Sequence, residues 1–208
     1  MLLSLLVLTP SASWALSGSG TSGDPYRIAS RADFDEFCAN SNYWLSGVCT
    51  RLDADINLTG TTYAQSPIAP DTTTASGFQG TPYRGQFYGN GHRIIGLKNQ
   101  SSDKSFIGLF GQIYSGFVEK LGIVNCYIIQ TGSSTRYAGG LCGELFLGTI
   151  SACYSTGYIS GADEIGGLCG YCSGDIENSY SLATVKGGNV GGLVGMIGGA
   201  GTLINCYA

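Results

Sequence analysis

Residues 165–180 read IGGLCGYCSGDIENSY, with Cys169-Gly170-Tyr171-Cys172 at their centre. A C-x-x-C can be a redox pair or half of a zinc site, and it can also be two core positions of a repeat. Register separates these readings. IGLFG stands at 107–111, GGLCG at 139–143, GGLCG at 166–170 and GGLVG at 191–195, so that Leu109, Leu141, Leu168 and Leu193 follow one another at intervals of 32, 27 and 25. The position after each leucine holds Phe110, Cys142, Cys169 and Val194, and the position four after it holds Ile113, Leu145, Cys172 and Ile197. Both slots are apolar in every unit, so Cys169 and Cys172 read as small hydrophobes in a shared interior. No second C-x-x-C completes a four-thiolate site, and His92 is the single histidine. No metal and no cofactor is expected.

A second, offset marker accompanies the leucines. Asn125-Cys126-Tyr127, Ala152-Cys153-Tyr154, Asn178-Ser179-Tyr180 and Asn205-Cys206-Tyr207 place tyrosines 27, 26 and 27 apart. The segments between these markers are short, β-branched and punctuated by glycine, with no stretch long enough for a helical repeat. Units of 26 or 27 residues of this kind build coils of short strands, stacked so that equivalent strands pair in parallel about 4.8 Å apart. The expected fold is all-β, a right-handed parallel β-helix (β-solenoid) with a short N-terminal capping helix. Asn125, Asn178 and Asn205 are expected at left-handed corners, with Ala152 interrupting the series. Stacking would set Cys142 above Cys169 and Cys126 above Cys153 at a spacing a disulfide tolerates, so at least one pair is expected to be bonded or in van der Waals contact.

Composition narrows function. A net charge of −4, without any run of Lys or Arg, leaves no footprint for nucleic acid or an anionic membrane. Residues 1–15, MLLSLLVLTPSASWA, carry a short apolar run and small residues ahead of a cleavage point, which reads as a secretory signal peptide, although no Lys or Arg precedes the run. A buried N-terminal strand is the alternative. No later stretch is apolar for long enough to insert in a membrane. Export makes the eight cysteines disulfide candidates, including Cys38 with Cys49, which would pin the helix expected at Ser30–Cys38. Residues 16–84 read as an N-terminal cap region with that helix, a strand at 51–58 and a long loop at 60–82; residues 85–208 read as the repeat region.

The ordered succession GSGTSGDPYRIAS (18–30), LDADINLTG (52–60), SPIAP (66–70), FYGNGHRIIGL (87–97), IGLFG and the later GGL-x-G units with their Asn-Cys-Tyr partners resembles the bacterial GLUG-repeat proteins. The resemblance implies a pectate-lyase-like right-handed β-helix in a secreted, cell-surface or adhesin-like protein, of the kind also found outside the catalytic domain of IgA-cleaving metallopeptidases. This sequence departs from the pattern at Ile107-Gly108, at Ala152, and in stopping within a repeat at Ala208, from which a longer parent protein is expected.

Catalysis finds little support. There is no H-E-x-x-H, and a Ser-His-Asp mechanism would depend on His92 at a turn. The carboxylate pairs Asp53/Asp55, Asp163/Glu164 and Asp175/Glu177 are equally well explained as solvated outer faces. From residue 105 on, only Lys120, Arg136 and Lys186 could serve a lyase as base. No catalytic residue is assigned. The expected function is a non-catalytic extracellular scaffold or binding surface, with extracellular glycans or host and environmental surface proteins as partners. Tyr114, Tyr127, Tyr137, Tyr154, Tyr158, Tyr171, Tyr180 and Tyr207 would serve as outward platforms. A carbohydrate-active β-helix enzyme is the alternative.

Overall fold

The computed structural model describes residues 15–75, 77–131 and 137–208. The signal-peptide reading of residues 1–15 therefore falls, but for Ala15, outside the described residues.

The chain is a β-solenoid with four walls. The first wall stacks Tyr26–Ile28, Cys49–Leu52, Gln86–Tyr88, Phe117–Glu119, Thr149–Ser151, Asp175–Glu177 and Thr202–Ile204, seven strands with every neighbouring pair parallel. The second stacks Ile56–Asn57, Arg93–Ile95, Gly122–Gln130, Tyr154–Ser160 and Tyr180–Lys186, with Lys98–Ser101 also pairing Gly122–Gln130. The third stacks Phe106–Ile107, Tyr137–Ala138, Glu164–Gly166 and Asn189–Gly191, and the fourth Phe110–Tyr114, Cys142–Phe146, Cys169–Cys172 and Val194–Ile197. The ladder reaches back before residue 85. Tyr63 and Ile68, in the stretch expected as loop, and Tyr83, just after it, each bridge in parallel to the following rung at Asn99, Phe110 and Ile113.

The inner rungs share a single apolar interior: the first wall gives Phe87, Val118, Ile150 and Ile176, the third Ile107, Ala138 and Ile165, and the fourth two residues per rung, Phe110/Ile113, Cys142/Leu145 and Cys169/Cys172. Leu109, Leu141 and Leu168 are fully buried and Leu193 nearly so. They form a column tied by backbone hydrogen bonds, Leu141 N donating to Leu168 O at 2.9 Å and Leu168 N to Leu193 O at 2.8 Å. The outermost rung leaves Met196, Ile197, Leu203, Ile204 and Tyr207 exposed.

Helix α1 (Arg31–Ala39) closes the other end. Ser30 caps it, accepting from Asp33 N, while Asp33 Oδ2 accepts from Ala29 N at 3.1 Å and from Ser30 Oγ at 2.8 Å, a reciprocal arrangement that satisfies orphan amides at the helix start. Its face buries Phe34 and Phe37, and the Phe37 ring meets Phe87 edge-on at 5.6 Å in the interior of the first rungs.

One corner column has left-handed backbone on five rungs: Asn90, Lys120, Ala152, Asn178 and Asn205, with φ between 49° and 55°, linked by Gly91 N to Lys120 O, Lys120 N to Ser151 O, Ala152 N to Glu177 O and Asn178 N to Ile204 O. Asn205 Nδ2 donates to Asn178 Oδ1 at 3.2 Å, a side-chain rung above the backbone one.

Asn125 is not in this column, which corrects the expected alignment of its triplet. Gly122 pairs with Tyr154 and Tyr127 with Tyr158, so the residue one rung from Ala152 is Lys120. The cause is length: eight positions separate Ile129 from Tyr137, where four separate their partners Ser160 and Glu164. The 27-residue spacing from Tyr127 to Tyr154 is therefore a coincidence of sequence. Between the pairs Ile123↔Ser155 and Cys126↔Gly157 the strand carries a bulge, where Asn125 takes φ 54° and its amide donates to Thr156 Oγ1 at 3.0 Å.

Candidate functional site

Of the two stacked cysteine pairs expected to be bonded or in contact, Cys142 and Cys169 are in contact, and none of the candidate bridges is bonded. All eight cysteines are free. Cys142 and Cys169 are register partners on adjacent rungs, and their sulfurs meet at 3.4 Å, a contact and not a bond. Cys126 does not stack on Cys153, because the register that would align them is displaced: Cys126 faces Gly157, while the Cys153 amide is held by Ser179 Oγ at 3.0 Å. Cys38 lies on α1 near Arg31 and Asp35, whereas Cys49 opens the strand below Gln86. Cys169 and Cys172 are fully buried, so the C-x-x-C is interior packing. Burial pushes the Cys126 and Cys153 thiols up to about 12 and the Cys169 thiol well up. The Cys169 sulfur beside Cys172 raises that thiol also. These sulfurs are poor nucleophiles. Among the described residues no group of three or more His, Cys, Asp or Glu is placed to hold a metal.

Of the carboxylates considered from sequence, Asp53, Asp55 and Asp175 are individually occupied, while Glu164 Oε2 is buried without a hydrogen-bond partner among the described residues. Arg51 Nε donates to Asp53 Oδ1 at 2.7 Å. Asp55 takes the Arg93 guanidinium on Oδ2 (2.5 and 3.0 Å), its Oδ1 accepts from the Arg93 amide at 2.9 Å, and His92 Nδ1 lies 3.3 Å from the same oxygen. The Arg93 hydrogen bonds hold the Asp55 carboxyl below its ordinary value. Asp175 is bound by Thr202 Oγ1 at 2.5 Å on the next rung. His92 thus sits in a surface ion cluster that ties two rungs.

A different place collects chemistry. On the outer face of the third and fourth walls a cleft of about 450 Å³ opens beneath the segment 77–84, lined by Phe78, Arg84, Phe106, Gln112, Tyr114, Tyr137, Glu144 and Phe146, with Gly77, Gly80 and Pro82. Its floor follows from the ladder. Gln112 pairs with Glu144 and Tyr114 with Phe146, so the polar pair and the aromatic pair lie side by side on successive rungs. Gln112 Nε2 donates to Glu144 Oε2 at 2.6 Å, and the Tyr114 and Phe146 rings stack at 5.0 Å. Phe106 meets Tyr137 edge-on at 5.3 Å, and Tyr137 stacks on Tyr171 at 5.0 Å. Burial disfavours the charged form of Glu144 and raises its carboxyl, an effect the Gln112 hydrogen bond partly offsets.

The opposite side of the cleft is built by the 70–84 segment. Gln79 N donates to Asp71 Oδ1 at 3.0 Å, and Thr72 Oγ1 donates to Gln79 O at 2.8 Å. Gly80 lets the returning chain lie against Pro70, whose carbonyl would be 1.9 Å from a Cβ there. This closed loop sets Phe78 edge-on to Phe106 at 5.3 Å, and Arg84 lays its guanidinium 4.0 Å over the Tyr114 ring.

Of the tyrosines expected as platforms, Tyr114 and Tyr137 line the cleft. The others form stacks up the walls: Tyr127 on Tyr158 at 5.7 Å, and Tyr154, Tyr180 and Tyr207 in succession at 5.1 and 4.9 Å. Gln112, Glu144, Phe146, Phe78 and Arg84 were not singled out by sequence. The signal for the first three was the common offset of Gln112 and Glu144, and of Tyr114 and Phe146, from Leu109 and Leu141.

These features define a parallel β-solenoid with an aromatic cleft on its outer face. No family model matches the chain. It is 30% identical over 167 residues to "Halomucin" of Haloquadratum walsbyi, an alignment covering 74% of this chain and 2% of that protein. It is 34% identical over 117 residues to a "Putative Gly-rich membrane protein" of Evansella cellulosilytica, covering 56% and 13% respectively. The chain thus spans a small fraction of the curated relatives it matches. Among solved structures it resembles one described as a "putative immunoglobulin A1 protease" from Bacteroides ovatus, with a TM-score of 0.56 and 22% identity over 92% of this chain and 77% of that one. That likeness is one of fold.

Proposed function

We propose that the chain is a non-catalytic extracellular β-solenoid module of an adhesin-like surface protein, acting as a stiff scaffold whose outer walls bind. The observation that carries this reading is the first wall, seven parallel strands in continuous register. Six steps of about 4.8 Å make it roughly 29 Å long, and each inner rung is hydrogen-bonded and packed on both sides, so the module resists bending. Its similarity to "Halomucin" and to a Gly-rich membrane protein supports a place at the cell exterior, and the ordered motifs quoted above support assignment to the GLUG-repeat proteins. Among the described residues no helix is long and apolar enough to cross a membrane. Antibodies against the chain should label intact cells of the source organism, and protease added to those cells should remove the epitope. An epitope confined to the cytosolic fraction and protected from protease would overturn the proposal.

Glu144 favours one second reading, a polysaccharide-active enzyme, since a buried carboxyl with raised pKa is suited to general acid work. Glycoside hydrolysis by two carboxylates needs a partner roughly 5–9.5 Å away, and Glu144 is the sole carboxylate among the described lining residues. Release of reducing or unsaturated ends from pectin, alginate or glycosaminoglycan would establish the enzyme; no release is expected.

A further inference from the structure

We propose that the cleft under the 77–84 segment is a carbohydrate site, taking one uncharged pyranose unit of a glycan against the Tyr114 and Phe146 rings with its hydroxyls held by Glu144 and Arg84. This deepens, and rests on, the reading of the outer walls as a binding surface.

The size is suitable: about 450 Å³ falls within the range of roughly 300–1,000 Å³ typical of small-ligand clefts. The lining has two kinds of group. Phe78, Phe106, Tyr137 and Phe146 offer ring surface to polarised C–H bonds, while Tyr114, with Phe146 stacked at 5.0 Å and the Arg84 guanidinium 4.0 Å over it, contributes its edge. Tyr114 and Phe146 are neither fully covered nor free, being half-buried side by side along the stack. The second kind is a hydrogen-bonding pair. Glu144 uses Oε2 to accept from Gln112, and Oε1 has no partner among the described residues. Arg84 has no carboxylate partner among the described residues, and its exposed guanidinium lies over Tyr114 with five N–H groups to offer.

Charge decides the ligand class. Rings around a carboxylate would ordinarily suit a cation, but Arg84 already occupies that role over Tyr114 and would repel a second positive group. An anion would meet Arg84 favourably and Glu144 unfavourably. A neutral polyol satisfies both, its hydroxyls donating to the carboxylate and accepting from the guanidinium, while a C–H face covers the rings. Of neutral polyols, a pyranose has hydroxyls at its edge and C–H bonds on its face, in the arrangement the cleft presents.

The test is an amide-resolved NMR titration of the 208-residue chain with methyl glucoside, methyl galactoside, methyl mannoside and methyl N-acetylglucosaminide, with sodium galacturonate and tetramethylammonium chloride as the anionic and cationic arms. At least one neutral glycoside should produce saturable shifts centred on Gln112, Tyr114, Glu144 and Phe146, and Arg84→Ala and Phe146→Ala should each weaken it about tenfold. Glu144→Gln should also weaken it while preserving the packing. Tyr127→Ala, on a different wall, should leave affinity unchanged. Shift mapping on the unaltered chain needs no variant to fold. The proposal is overturned if no neutral glycoside saturates by about 100 mM, a hundredfold above a millimolar Kd; if the shifts map elsewhere; or if only the anion or only the cation binds. Surface labelling with no sugar binding would remove the cleft and leave the scaffold, while sugar binding by a chain confined to the cytosol would do the reverse.

Discussion

Gln112 and Glu144, register partners on adjacent rungs, share a 2.6 Å hydrogen bond that holds a buried carboxylate at the floor of the cleft. Because burial raises the Glu144 carboxyl above 4.5 in the folded chain, the stability this group contributes is present in full below that value and is lost as pH rises through the folded pKa. Glu144→Gln has no such dependence. Melting temperatures measured from pH 4 to 7.5 should show wild type losing stability relative to the variant as pH rises, and a gap that widens in the opposite direction would contradict the buried carboxylate.

Ala152 has φ 52° in a corner column otherwise filled by asparagine and lysine. A left-handed alanine is strained, and asparagine tolerates this region better. Ala152→Asn should raise stability by up to about 1 kcal/mol, read from denaturant unfolding, by relieving the backbone and extending toward Asn178 the side-chain ladder that Asn205 begins.

Gly157 faces the opposite constraint. It has φ +128°, and a Cβ there would stand 2.1 Å from the Cys126 carbonyl oxygen. The bulge at Asn125 depends on that close approach. Gly157→Ala should cost about 2–3 kcal/mol or more, as overpacking against backbone does, and an unchanged midpoint would refute the bulged pairing.

The interior thiols should behave as hydrocarbon. Cys142, Cys169 and Cys172 are fully buried, and burial pushes the Cys126 and Cys153 thiols up to about 12. Ellman's reagent at pH 8 should leave these five unmodified in the folded chain and titrate all eight cysteines in guanidinium. Fewer than eight would show that the 3.4 Å contact between Cys142 and Cys169 closes to a disulfide.

The coil and its interior were readable from residues because every rung repeats the same demand. Leu109, Leu141, Leu168 and Leu193 point into one column, and a column imposes a period. The register of the first repeat was not readable. Asn125-Cys126-Tyr127 imitates the later corner triplets, and only the pairing shows that eight positions separate Ile129 from Tyr137 where four separate Ser160 from Glu164. The cleft was half legible. Tyr114 and Tyr137 stood out as outward aromatics, but Phe78 and Arg84 come from a stretch rich in Thr, Ser and Pro with no periodicity; the Asp71 and Thr72 hydrogen bonds to Gln79 set Phe78 at the cleft, and the Tyr83–Ile113 bridge sets Arg84 over Tyr114.

The stacked-rung register is tested most directly by aromatic nuclear Overhauser spectra of the 208-residue chain. Cross-peaks are expected between the rings of Tyr127 and Tyr158, of Tyr154 and Tyr180, and of Tyr180 and Tyr207. A cross-peak joining Tyr127 to Tyr154 in place of Tyr158, or the absence of contacts along the Tyr154–Tyr180–Tyr207 series, would contradict it.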